Sequence, residues 1–318
     1  MEYRNLGRSG LVVSEVSVGS WLTLGSSVDR AATREIVHRA FDLGVNLFDT
    51  ADVYSNGAGE EALGAALSGI PRRYVVIATK CFFPMSERPN DRGLSRKHIT
   101  ESIEDSLRRL GTDYVDLLQC HRYDPHTPLD ETVRAFDDLV RQGKVLYWGV
   151  SEWSASQIAD ACRSADAQRA VRPISNQPQY NLLRREIEAE VMPVSRREGL
   201  SQIVWSPLAQ GALTGKYSGG RRPGNTRATD SVRNVFMKSF LEPETLARTD
   251  RLRPLADRLG ISMAQLALAW CLAEPNVASV ITGVTRVPQL EDNVKASGLR
   301  LPAEIVAEIE AIFPRPNP

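Results

Sequence analysis

Eight short apolar runs, each set off from the next by a stretch of helical spacing, constrain this chain more than any other feature. They fall at residues 16–19, 45–48, 74–78, 114–118, 145–150, 174–176, 203–205 and 278–281. Helical patterns occupy residues 33–43, 58–67, 97–110, 129–141, 155–163 and 184–197, with a longer region over 246–273. Gly44, Gly111, Gly143 and Gly199 stand just past four of the helix ends, and Thr33 and Ser154 stand at starts, where stop and cap signals belong. Apolar runs without polar alternation suit strands buried on both faces, as in a parallel sheet covered by helices. Right-handed crossovers then close eight such units into an α/β fold, the (β/α)8 TIM barrel.

Ahead of the first run, residues 3–6 and 12–16 flank Gly7-Arg8-Ser9-Gly10, which reads as a hairpin placed to plug the barrel bottom. A doubly wound open sheet is the competing architecture. At 318 residues it would normally form two domains, and no linker-like stretch interrupts the middle, so one domain over 1–318 is expected. Residues 218–242 separate the seventh strand from its helix and read as a lid or binding loop on the carboxyl rim. The tail, 313–318, is expected to fray.

The stretch Leu47-Phe48-Asp49-Thr50-Ala51-Asp52-Val53-Tyr54 turns abruptly from apolar to polar where a strand should end. In a parallel barrel that end faces the functional rim. Lys80 follows the apolar run of the next strand and His121 that of the strand after, so Asp49, Tyr54, Lys80 and His121 can converge. An ammonium close to a tyrosine favours the phenolate and draws its pKa down from about 10 toward working pH. A carboxylate keeps that ammonium charged and placed, and an imidazole can hold a carbonyl oxygen while the phenol supplies a proton. Such a set suits protonation of an oxygen on which negative charge develops.

Other chemistries fit less well. Lys plus Arg equals Asp plus Glu at 39 each, which offers no electrostatic reason to expect nucleic acid or an anionic membrane as partner. Cys81, Cys120, Cys162 and Cys271 lie far apart without metal-ligand spacing, so free thiols and a cytoplasmic setting are expected. Neither a signal peptide nor a membrane-inserting apolar window is legible. Residues 211–217 imitate a phosphate loop but place Tyr217 where Ser or Thr must meet magnesium. Glu60 and Glu61 could suggest a sugar hydrolase, yet they read better as first-turn helix residues. His38 and His98 sit within helical stretches, and no metal cluster is apparent. Phe82, Phe83, Trp21 and Trp153 suggest an apolar lining for a small-molecule substrate.

With the four polar residues placed, the sequence resembles the aldo-keto reductases over nearly its whole length. The family pattern of Asp, Tyr, Lys and His stands in DTADVYSNGAGEEALG, IATKCFF and DLLQCHRYDP. Further segments similar to the family are GRSGLVVSEVSVGSW, QGKVLYWGVSEWSA, SNQPQYN, WSPLAQGALTGKY and ITGVTRVPQLEDN. Several resemble the branch that holds the β subunits of voltage-gated potassium channels and their bacterial relatives.

The resemblance implies a barrel that binds NADP(H) across its carboxyl rim without a Rossmann domain. Tyr54 would donate the proton to an aldehyde or ketone, Asp49 and Lys80 would tune it, and His121 would orient the carbonyl. Ser151 and Gln177 would hold the carboxamide, Trp205 would stack on the nicotinamide, and Gly19, Trp21 and Asp49 would line the near side. Ser206, Leu208, Gly211 and Lys216 would follow the pyrophosphate, and Arg227, Gly283, Thr285, Gln289, Asp292 and Asn293 the adenosine end. Two departures stand out: Glu152 occupies a position where many members have Asn, and Gly283 one where many have Lys.

The branch also forms tetramers and higher rings, which makes a homo-oligomer an expectation, and it suggests a second role as a cofactor-loaded redox sensor. Channel-associated animal relatives carry Asn at the position of His121, whereas this chain keeps the full set, which favours a working enzyme.

Overall fold

A computed structural model describes residues 1–224, 226–230, 234 and 237–315, and of Arg227 the backbone alone. The chain opens with an antiparallel hairpin of β1 (Tyr3–Asn5) and β2 (Val12–Ser14). A ring of eight parallel strands follows: β3 (Val16–Gly19), β4 (Leu47–Asp49), β5 (Val76–Cys81), β6 (Val115–Cys120), β7 (Val145–Val150), β8 (Ser175–Asn176), β9 (Ser201–Val204) and β10 (Val277–Thr282). Chain neighbours are ring neighbours, and β10 closes the circle on β3 by pairing Val280 with Val16 and Thr282 with Val18. The helices are α1 (Arg30–Asp42), α2 (Ala58–Leu67), α3 (Arg96–Leu110), α4 (Leu129–Arg141), α5 (Ala155–Gln168), α6 (Val191–Glu198), α7 (Pro243–Asp250), α8 (Arg253–Leu259), α9 (Met263–Ala273), α10 (Val287–Val294) and α11 (Ala303–Ile312). This is the (β/α)8 barrel that the alternation predicts.

Alternation along each strand sorts its side chains. Leu47, Val76, Ala78, Leu117, Ile203 and Ala278 form one buried cluster that Leu6 and Val13 of the hairpin complete. Outward residues of the same strands, among them Phe48, Ile77 and Leu118, pack instead with Ile36, Leu63 and Ile103 of the surrounding helices. The hairpin thus fills the end of the barrel opposite the polar strand ends.

Several boundaries differ from the sequence reading for identifiable reasons. Strands β5 and β6 continue through Cys81 and Cys120, so Lys80 lies within a strand; its polarity hides a position that is fully buried. Asp29, not Thr33, caps α1, accepting from the Ala32 amide, and Thr33 is buried in the first turn. Ser154 does cap α5, in a reciprocal box with Gln157. The region 246–273 divides into α7, α8 and α9, with Pro243 and Pro254 at two of the new starts. Residues 184–197 hold a short 3-10 turn, Glu186–Glu188, before α6 begins at Val191. Helix α11 was not anticipated.

The long segment after β9 contains 3-10 turns at Ser218–Gly220, Arg227–Thr229 and Lys238–Leu241, anchored by a small buried cluster of Tyr217, Met237 and Leu246. Pro316, Asn317 and Pro318 lie outside the described residues. Among the described residues no helix is long and apolar enough to cross a membrane, and no His, Cys, Asp and Glu group is arranged to hold a metal.

Candidate active site

The carboxyl ends of the strands open onto a cleft of about 1600 Å³. A site for a drug-sized ligand is typically roughly 300–1,000 Å³, so this one has room for a longer molecule and a second small one. It runs from Asp49, Tyr54 and His121 past Ser151, Gln177 and Trp205, then Ser206, Leu208, Gly211 and Lys216, to Gly283, Thr285, Gln289, Asp292 and Asn293, with Gly19 and Trp21 on one wall. Lys80 lies fully buried beside it, and the side chain of Arg227 lies outside the described residues.

At the head of the cleft the Lys80 ammonium donates to Asp49 Oδ1 and to the Thr50 carbonyl, both at 2.7 Å, and to the Tyr54 hydroxyl at 3.3 Å. The second Asp49 oxygen accepts from Gln177 Nε2 at 2.8 Å, and Ser151 Oγ donates to the Gln177 carbonyl. Lys80 at the β5 end and Gln177 past the β8 end are therefore tied to one carboxylate, with Ser151 of the β7 end holding Gln177 from behind. The Gln177 bond is invisible in sequence, because nothing local marks a partner on the far side of the ring.

Burial works against the Lys80 ammonium, but Asp49 and Tyr54 more than offset it and hold its pKa above the ordinary value. Burial raises the Tyr54 phenol, the Lys80 charge lowers it, and burial wins. The sequence reading expected the opposite sign: it counted the ammonium and not the loss of water. Burial, then the Lys80 and Arg122 charges, hold His121 well below the usual imidazole range, so it is neutral at neutral pH. Its ring lies edge-on to Tyr54, with centroids 5.6 Å apart. The site thus presents a protonated phenol, a neutral imidazole and a fixed cation to one point.

Glu152 departs from the family pattern, and its carboxylate has a defined place. Oε1 accepts from the Trp205 indole and from the Gln179 amide, each at 2.6 Å, and Trp205 stands edge-on to Trp21 at 5.8 Å. The resemblance leaves one carboxamide contact in doubt at Glu152; the adjacent Trp153, expected in the lining, is instead buried against Tyr123. Further along, Ser206, Ala209 and Gln210 all adopt positive φ beside Gly211. Left-handed non-glycine residues cost about 1–3 kcal/mol each and gather where surrounding structure holds a functional loop.

The donor set toward the far end suits an anionic dinucleotide. Lys216 and Arg286 line it, and Asp292, the carboxylate that could oppose a phosphate, already accepts from Ser262 Oγ at 2.7 Å and Gln265 Nε2 at 2.6 Å. Thr285 and Gln289 are joined by two hydrogen bonds at the start of α10.

The Aldo/keto reductase family model matches residues 15–313, and the chain belongs to that family. It is 46% identical over 318 residues to a probable voltage-gated potassium channel subunit beta of Oryza sativa subsp. japonica, covering 98% of this chain and 96% of that one. A probable subunit beta of Arabidopsis thaliana is 47% identical over 300 residues, 93% and 91% of the two chains. A putative one of Schizosaccharomyces pombe is 42% identical over 321 residues, 98% and 93%.

Proposed function

We propose that this protein reduces aldehydes or ketones to alcohols with NADPH. The observation that carries the reading is the position of Lys80, which touches Asp49 and Tyr54 together while a neutral His121 faces the same phenol. A bound nicotinamide supplies the hydride. Tyr54 holds the proton for the carbonyl oxygen, Lys80 stabilises the phenolate left behind, and His121 orients that oxygen by hydrogen bond. Asp49, gripped by Lys80 and Gln177, keeps the cation in register.

Turnover of a panel of carbonyl compounds with NADPH and with NADH tests the reading, and no turnover with either would sink it. Preference for NADPH rests on the 2′-phosphate, for which Arg286 and Thr285 line the far end of the cleft and Arg227 of the long loop is a candidate from sequence. Arg227→Ala is expected to weaken NADPH binding roughly ten- to a hundredfold with NADH hardly affected. Equal losses in the two dissociation constants would show that Arg227 does not read the phosphate.

Glu152 takes the role of holding Trp205 against the nicotinamide. Glu152→Ala should weaken NADPH about fivefold, as expected for one exposed charge-assisted hydrogen bond worth roughly 1 kcal/mol. Glu152→Gln, which keeps an acceptor, should recover most of it. Fluorescence titration checks both, and an alanine variant that binds like wild type would remove Glu152 from the site.

The relatives named as channel β subunits favour a second reading, a cofactor-loaded subunit that reports redox state to a channel-like partner. Such a subunit would show cofactor binding with negligible multiple turnover; a homo-oligomer is compatible with either reading, and light scattering tests it, a mass near 35 kDa counting against it.

A further inference from the structure

The head of the cleft has one charged group that the proposed reaction does not use. Around Tyr54 and His121 the wall is made by Trp21, Leu22, Val53, Phe83 and Arg122. Asp49 is neutralised by Lys80, so Arg122 brings the only unbalanced charge to this end of the described lining. Its guanidinium lies 5.4 Å from the centre of the Phe83 ring, and Phe83 stands edge-on to His121 at 4.9 Å. One of its N–H groups donates to the His121 carbonyl. Among the described residues no carboxylate lies within ion-pair distance of it. Glu152, from the next strand end, is turned to Trp205 and does not line the cleft.

An arginine has five N–H donors in a planar fork matched to carboxylate and phosphate. Held by the Phe83 face and by one backbone carbonyl, this one keeps most of the fork for a ligand. An apolar wall with one cation at its edge fits a molecule with an apolar body and an acidic end.

We infer that Arg122 selects carbonyl substrates that carry an anionic group, its guanidinium receiving that group while the carbonyl reaches Tyr54 and His121. The inference rests on the proposed carbonyl reduction, in which a hydride from NADPH reaches the carbonyl carbon and a proton its oxygen. It adds the substrate class.

Two aldehydes of the same shape separate the terms: 4-carboxybenzaldehyde, an anion at neutral pH, and 4-formylbenzamide, which is neutral. Both undergo the same chemistry at the same carbon, so the ratio of their kcat/KM values cancels any effect of Arg122 on His121 or Tyr54. Wild type at low salt should favour the acid roughly ten- to a hundredfold, chiefly through KM, as charge-assisted contacts of this kind allow. The preference should shrink as salt is added. Arg122→Met should bring the ratio close to one, and Arg122→Lys should keep part of it.

A wild-type ratio near one overturns the inference even where a variant fails to fold, and so does a ratio unchanged by Arg122→Met; in both cases carbonyl reduction stands. If wild type binds NADPH, seen as quenched tryptophan fluorescence, but turns over neither these aldehydes nor the wider panel, the reduction itself fails and the inference falls with it.

Discussion

Tyr54→Phe is expected to lower turnover of any carbonyl substrate by roughly 10²-fold or more, the usual worth of a positioned acid, while NADPH binding changes little. The substitution removes only the hydroxyl that Lys80 contacts at 3.3 Å, leaving the ring beside His121 and the cofactor-facing residues in place. A phenol raised by burial is a poor acid in isolation but keeps its proton throughout neutral pH. It becomes competent as negative charge develops on the carbonyl oxygen, because the adjoining ammonium stabilises the phenolate product. Steady-state rates at saturating NADPH, set beside the cofactor dissociation constant, make the check. A Phe variant within a few-fold of wild type would show that another group or water delivers the proton.

The second large effect concerns stability and lies behind the site. Asp52 and Glu60 are both fully buried between β5 and the helices α2 and α3. Arg109 is the cation on Glu60, through Nε at 2.6 Å, while Thr79 donates to its other oxygen; Ser102 and the Val53 amide serve Asp52. Arg109→Leu would leave two buried carboxylates without a cation. Breaking a buried pair from one side costs about 3–5 kcal/mol, and a drop of that size in unfolding free energy is expected near pH 8.

Burial, with the Glu60 charge, raises the pKa of Asp52 from 3.8 to about 7. Between those two values the folded chain holds a proton that the unfolded chain has released. The stability this contributes is fully present at the acid end and is lost as pH rises through about 7. The Leu variant should therefore recover part of its deficit toward pH 5. Adding Glu60→Gln should recover more, since it removes one of the stranded charges. Denaturant unfolding at the two pH values decides it; a loss under 1 kcal/mol at both would mean that water screens the cluster.

What the sequence revealed and what it hid divide along range. The strands and helices were legible because burial repeats at the period of each element, and the rim position of Asp49, Tyr54 and His121 followed from strand polarity alone. Glu60 was read as a first-turn helix residue, which it is, but its partner Arg109 lies on another helix and no local pattern joins them. Trp153 and Phe83 are equally aromatic and both follow strands; only packing sends one into the core and the other to the cleft. Thr33 lost its cap role to Asp29 because residues 30–32 continue the helix upstream without apolar spacing. The cross-ring bond from Gln177 to Asp49 and the sign of the Tyr54 shift required knowing who is buried beside whom.

The seam between β10 and β3 also governs how the chain is made. A ribosome delivers β3 before the other seven barrel strands and β10, its partner across the seam, after them, so the ring stays open until the eighth strand is made. Until Val277–Thr282 emerges, β3 and β9 each present an unpaired strand edge, the feature that most invites association between chains. Closure then draws together groups from opposite ends of the sequence: Arg4 reaches the carbonyls of Leu272 and Val277, and Glu15 accepts from Ser297 and Gly298. Pairing of β10 with both neighbours thus removes the two exposed edges in a single step.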